Sequence, residues 1–178
     1  MSSIRVTITF KDFQGLDEKS SQDVRDIIEK NRRHVSVKKI GEGKGCNTIG
    51  PGKKIPDLLA DIDFELEYHK TEDLEKCFAE ILKEIEAVGY EFTYEFHPMS
   101  IIFYDGGINE EVLINTITKK RPLGYGKFDT RLVNFRDMNT KDAVMHIFYL
   151  VCKSENFIEL LIEILNDFKG HVFEVRGF

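Results

Sequence analysis

The sequence predicts an α+β protein built as two successive halves, each reading strand–helix–strand–strand–helix–strand. Three observations carry that expectation. Residues 61–69, DIDFELEYH, alternate apolar and polar side chains at period two, the pattern of a strand with one wet face. Leu74, Cys77, Phe78, Ile81, Leu82, Ile85 and Val88 then form one stripe at helical spacing, which stops at Gly89. The last 35 residues, from Val144 onward, run through the same strand–helix–strand order again.

Taken in order, IRVTITF opens the chain as a strand with alternating apolar residues. Ser21 to Lys30 carries Val24, Ile27 and Ile28 on a short helix, and HVSVKKI returns to strand spacing. DIDFELEYH follows, and Thr71 is placed to cap the next helix, with Glu72 and Asp73 favouring the positive end of its dipole. Gly89 supplies a left-handed C-cap. YEFTYEF then sets Tyr90, Phe92, Tyr94 and Phe96 on one side of a strand.

The second half repeats the order. SIIFY is a strand, Asn109 caps the helix EEVLINTITKK, and RLVNF is a strand. VMHIFYLVC is a strand and Ser154 stands where Thr71 stood. Phe157, Leu160, Leu161, Ile164, Leu165 and Phe168 form the stripe. Gly170 closes that helix and HVFEVRGF is the last strand. Aligning Thr71 with Ser154 superposes Leu74 on Phe157, Phe78 on Leu161, Ile81 on Ile164 and Leu82 on Leu165. The shared property is pattern more than identity. The expected architecture is two tandem ferredoxin-like (βαββαβ) modules, residues 1–97 and 98–178, each an antiparallel sheet with helices on one face.

Composition sets outer limits on function. The chain has 178 residues, 42% hydrophobic and 31% charged, which is ordinary for a globular domain or pair of domains. No apolar run reaches the 18 or so residues of a membrane helix, so no membrane partner is expected. MSSIRVTITFKDF begins strand alternation at once and has no signal-peptide layout. Cys46, Cys77 and Cys152 are odd in number and widely spaced; they read as buried thiols and point to a reducing cytoplasm.

The expected open sheet faces differ between the halves. In the first, Arg5, Thr7, Thr9 and Lys11 share the wet face with Asp61, Asp63, Glu65, Glu67, Glu91 and Glu95. RNA-recognition modules of this topology stack bases on sheet aromatics; this face has none, and its acids repel phosphate. In VMHIFYLVC both sides are apolar, so the outer face of that sheet needs a cover: the other module, a second copy of the chain in a homodimer, or a partner.

Charge is concentrated in two stretches of a chain whose net charge is -6. Residues 32–54 carry seven Lys or Arg against Glu42, and residues 119–136 carry six against Asp129. Both precede the third strand of their half, and both hold close glycines. Backbone N–H groups at glycine turns together with lysines can hold phosphate. The anion-binding residues expected on this ground are Lys38, Lys39, Gly43, Lys44, Gly45, Lys53 and Lys54 in the first stretch. In the second they are Lys120, Arg121, Gly124, Gly126, Lys127 and Arg131. The bland alternative is a pair of solvated loops. GCNTIGPG places Pro51 where a P-loop needs lysine, which excludes that motif.

IGEGKGCNTIGPG and KKRPLGYGKF resemble the glycine-rich basic loop of CRISPR repeat-associated RNA-binding proteins, which are built from tandem ferredoxin-like modules. In that family the loop precedes the last strand. Here neither loop does, so no residue role is carried over. Regulatory modules of the amino-acid-sensing kind share the βαββαβ order, but the glycine-rich turn they carry after the first strand is missing from FKDFQ.

Catalytic constellations are sparse. His34, His69, His97, His146 and His171 are isolated, with no H-x-x-x-H or Cys spacing for a metal, and no nucleophile elbow or dinucleotide fingerprint occurs. No cofactor and no metal are expected. The first reading is a non-catalytic binding protein (an inhibitor, immunity-type or assembly factor) that takes a protein partner on the acidic face. The second is a binder of a phosphate-bearing ligand, nucleotide or RNA through the two basic loops. If that second protein processed RNA, His34 beside Arg32 and Arg33 would be its general base.

Overall fold

The computed structural model describes residues 1–12, 14–45, 58–97, 99–103, 131–136, 144–150, 157–170 and 172–177. The elements are β1 (Ser2–Phe10), α1 (Glu18–Glu29), β2 (Val35–Lys44), β3 (Leu59–Tyr68), α2 (Thr71–Glu86) and β4 (Phe92–Phe96). They continue with β5 (Met99–Phe103), β6 (Arg131–Arg136), β7 (Val144–Leu150), α3 (Phe157–Asp167) and β8 (Phe173–Gly177). The expected helix at 110–120 lies outside the described residues. The protein is α+β.

One four-stranded sheet has the order β2-β3-β1-β4 and the other β6-β7-β5-β8. The pairs β2·β3, β5·β7, β5·β8 and β6·β7 are antiparallel. The chain divides into two compact units, Arg5–Glu95 and a second made of Met1–Ile4 with Phe96–Phe178.

In the Arg5–Glu95 unit the alternation of β1 and β3 becomes a core. Val6, Ile8, Phe10, Ile62, Phe64, Leu66 and Tyr68 are buried, as are Val24 and Ile28 of α1 and Leu74, Cys77, Phe78, Ile81 and Ile85 of α2. At about 25 cal/mol per Å² of apolar surface, burying each large aliphatic side chain contributes about 1.5–3 kcal/mol. The β4 aromatics face the same way: Phe92 packs edge-on against Phe10 at 6.3 Å, and Tyr94 against Phe78 at 5.3 Å.

Two helix starts differ from expectation. α1 begins before Ser21, because Asp17 is its N-cap and accepts hydrogen bonds from Ser20 N at 2.8 Å and Ser20 Oγ at 3.0 Å. Tyr90 Oη donates a further bond to Asp17 at 2.7 Å, and these donors hold the Asp17 carboxyl below its ordinary range. α2 starts at Thr71, so Lys70 occupies the cap position and no side chain caps it. Its first turn is closed instead by Asp73 N and Leu74 N donating to Lys70 O. Gly89 and Gly170 both sit at positive φ, +95° and +112°, but each stands three residues past its helix, and the C-cap of α2 is Ala87 in right-handed helical conformation, where Gly89 was expected.

In the second unit, Ile158, Leu161, Leu165 and Phe168 of α3 and its flank are buried, with Val175 of β8 and Met99 of β5. Ile158 was not in the expected stripe. Phe168 meets Phe173 edge-on at 6.4 Å. Val175 N donates to Ser2 Oγ at 3.0 Å, which ties the first residues of the chain to this unit.

Candidate functional site: the acidic sheet face

The site grows out of the register of β2 on β3. Val35, Val37 and Lys39 lie opposite Tyr68, Leu66 and Phe64, while Ser36 and Lys38 lie opposite Glu67 and Glu65. One extra residue, Ile40, interrupts the ladder between Lys39 and Gly41. After this bulge Gly41 and Gly43 face Asp63 and Asp61, and Glu42 faces Ile62. The period-two alternation of β3 keeps all four of its carboxylates on the face away from the helices, and the bulge sets Gly41 and Gly43 beside the first two and turns Glu42 to the other face.

The same register separates two neighbouring lysines. Lys38 stays on the open face opposite Glu65. Lys39 turns to the helix side, where it pairs with Glu42 at 3.0 Å and with Glu29 of α1 at 3.1 Å. Arg25 of α1 also grips Glu42, Nε to Oε1 at 2.9 Å and Nη2 to Oε2 at 3.2 Å. The Arg25 bonds foremost, opposed by burial and reinforced by Lys39, hold the Glu42 carboxyl below its ordinary range; the Glu42 and Glu29 bonds push Lys39 up. Lys39 is part of an ion network that fastens α1 to β2.

The glycines of this stretch answer to packing. A Cβ on Gly43 would stand 2.1 Å from a carboxylate oxygen of Asp61, so that carboxylate occupies the space over the glycine. A Cβ on Gly45 would stand 2.1 Å from Gln14 O. There the loop after β1, the end of β2 and the start of β3 close together through Leu16 N to Leu59 O at 2.8 Å and Gly45 N to Leu58 O at 3.0 Å. Ser21 Oγ accepts from Leu59 N at 3.0 Å at the same junction.

Among the described residues, six carboxylates (Asp61, Asp63, Glu65, Glu67, Glu91 and Glu95) share the open side with three cations, Arg5, Lys11 and Lys38. Asp63 is taken up by Arg5, whose guanidinium binds both carboxylate oxygens; the side chains are 15% and 32% exposed. That pair raises the Arg5 guanidinium above its ordinary value. Lys11 Nζ lies 3.2 Å from Glu91, and Lys11 N donates to Glu91 O at 3.0 Å. Asp61, Glu65, Glu67 and Glu95 form no ion pair among the described residues. Successive outward carboxylates on a strand stand about 6.8 Å apart, so a neighbouring pair repels by about 0.6 kcal/mol in bulk water and about 2.4 kcal/mol at a surface dielectric near 20. A cation brought to such a row relieves that repulsion.

The remaining residues expected at sites fall in two groups. Lys44 is exposed at the end of β2. Lys53, Lys54, Lys120, Arg121, Gly124, Gly126 and Lys127 lie outside the described residues, and Arg131 is described only as the first residue of β6. Arg32, counted with the first basic stretch, is an internal group. Its side chain is 5% exposed, Nη2 donates to Ile27 O at 2.9 Å, and Nη1 lies 3.5 Å from Glu80 and 3.4 Å from Glu84. Cys77 is buried, and burial pushes its thiol up to about 11 although Arg32 pulls the other way. His34 and His69 are exposed. Among the described residues, no three His, Cys, Asp or Glu side chains are placed to hold a metal, and no helix is long and apolar enough to cross a membrane.

No family model matches the chain, and no curated protein matches it. Among solved structures it is similar to an unknown protein from Galdieria sulphuraria, with 11% identity over 98% of this chain and 96% of that one. The TM-score of that likeness is 0.30, which carries no argument about fold or function.

Proposed function

We propose that this protein is a non-catalytic binding protein that captures a basic protein partner on the open, acidic face of its first sheet. The observation that carries the reading is the row Asp61, Asp63, Glu65 and Glu67, set on one face by the alternation of β3, in which Asp63 is held by Arg5 and the other three form no ion pair among the described residues. Charge complementarity of this kind steers association and selects partners more than it adds raw affinity. The scaffold behind it is two tandem ferredoxin-like modules, a reading supported by the strand order 2-3-1-4 occurring in both sheets. The protein acts in the cytoplasm as an inhibitor, immunity-type or assembly factor, and the apolar outer face expected for the second module serves a homodimer contact.

The alternative, a phosphate or RNA site built from the basic glycine-rich stretches, draws less support from the geometry. Lys39 is engaged by Glu29 and Glu42, and a phosphate approaching Gly43 would meet the Asp61 carboxylate. The lysines on β2 have a sufficient role at the edge of a sheet, where charge and a bulge deter pairing with other chains.

The test is affinity capture from cell extract with the wild-type chain and with the D61K/E65K/E67K variant as baits, leaving Asp63 to hold Arg5. Basic proteins retained by the wild type and lost from the variant support the reading. Identical sets of captured proteins from both baits refute it.

A further inference from the structure

We draw no further inference here: the strongest candidate, the row of carboxylates along β3 on the open face of the first sheet, belongs to the site already described, and no second observation shows what covers it.

Discussion

Alanine at position 45 would place its Cβ 2.1 Å from the Gln14 carbonyl oxygen, 2.6 Å from its carbonyl carbon and 2.9 Å from Gly15 N. All three are backbone atoms, so no side chain can swing aside. Ordinary contact begins at 3.4 Å, and the two backbones must part by more than an ångström. That movement strains the bonds Gly45 N to Leu58 O and Leu16 N to Leu59 O. Overpacking costs about 1–3 kcal/mol and each lost hydrogen bond about 1 kcal/mol, so Gly45→Ala should destabilise the Arg5–Glu95 unit by about 2–4 kcal/mol. Two neighbouring glycines calibrate the result. Gly41 has nothing within 4 Å of an added Cβ, so Gly41→Ala should be neutral or stabilising by up to about 1 kcal/mol. Gly43→Ala meets only the Asp61 side chain, which can rotate, and should cost about 1 kcal/mol or less. Urea unfolding followed by far-UV circular dichroism gives the three values. A Gly45→Ala midpoint equal to wild type, or a ranking in which Gly41→Ala is the worst, would refute the close-packing account of these glycines.

Other outcomes follow from the ion network and the buried thiol. The carboxyls of Glu42 and Glu84 are held below their ordinary range, Glu42 mainly by Arg25, and Glu84 by Lys30 and Arg32 against a burial effect that pushes it up. Carboxyls depressed in the folded state stabilise it fully above the unfolded value of about 4.3 and lose that contribution as pH falls through the folded value. The urea midpoint should therefore hold from pH 7 to about 5 and drop below about 4.3, and Glu42→Gln should flatten the drop. Glu84→Ala leaves the buried Arg32 guanidinium with Glu80 at 3.5 Å and Ile27 O, and should cost about 1–2 kcal/mol by urea unfolding, discounted for the partial exposure of Glu84. A thiol near 11 and buried is inert: at pH 8 a disulfide reagent should leave Cys77 unlabelled in the native chain and label it fully in urea, read by mass spectrometry of the Cys77 peptide.

The parts legible in the sequence were those governed by local periodicity. β3 is a row of buried Ile62, Phe64, Leu66 and Tyr68 between acids, and its period of two admits one reading. Gly89 and Gly170 announced the left-handed turns that follow α2 and α3, because few other residues tolerate that backbone, although the cap of α2 itself falls at Ala87. Asp17 was harder to see: it is followed by EKSS, with no apolar residue before Val24, so the helix start carried no periodic signal. The β2 bulge was not legible at all, since Ile40 has the residue type of an ordinary strand position and its displacement depends on pairing with β3. That single extra residue turns Glu42 to the helix side, where it meets Arg25 and the Lys39 that alternation from Val35 and Val37 already places there. Arg32 looked like part of a basic loop; its burial follows from Glu80 and Glu84, one turn apart on a helix distant in sequence. The glycines suggested phosphate because sequence shows the missing side chain and not the Asp61 carboxylate or Gln14 carbonyl that fills its place.

The acidic face is tested most directly by a fluorescence-anisotropy titration of a labelled Lys/Arg-rich peptide at low salt. Three proteins are compared: the wild type, D61K/E65K/E67K, and a control with the same charge change on α2, E72K/E75K/E86K, whose three side chains are exposed. The account predicts that the wild type and the helix control bind the peptide alike. It predicts that the sheet variant binds at least about tenfold more weakly, a difference of about 1.4 kcal/mol. Equal loss in both variants, or stronger binding of an RNA oligonucleotide than of the peptide by the wild type, would contradict it.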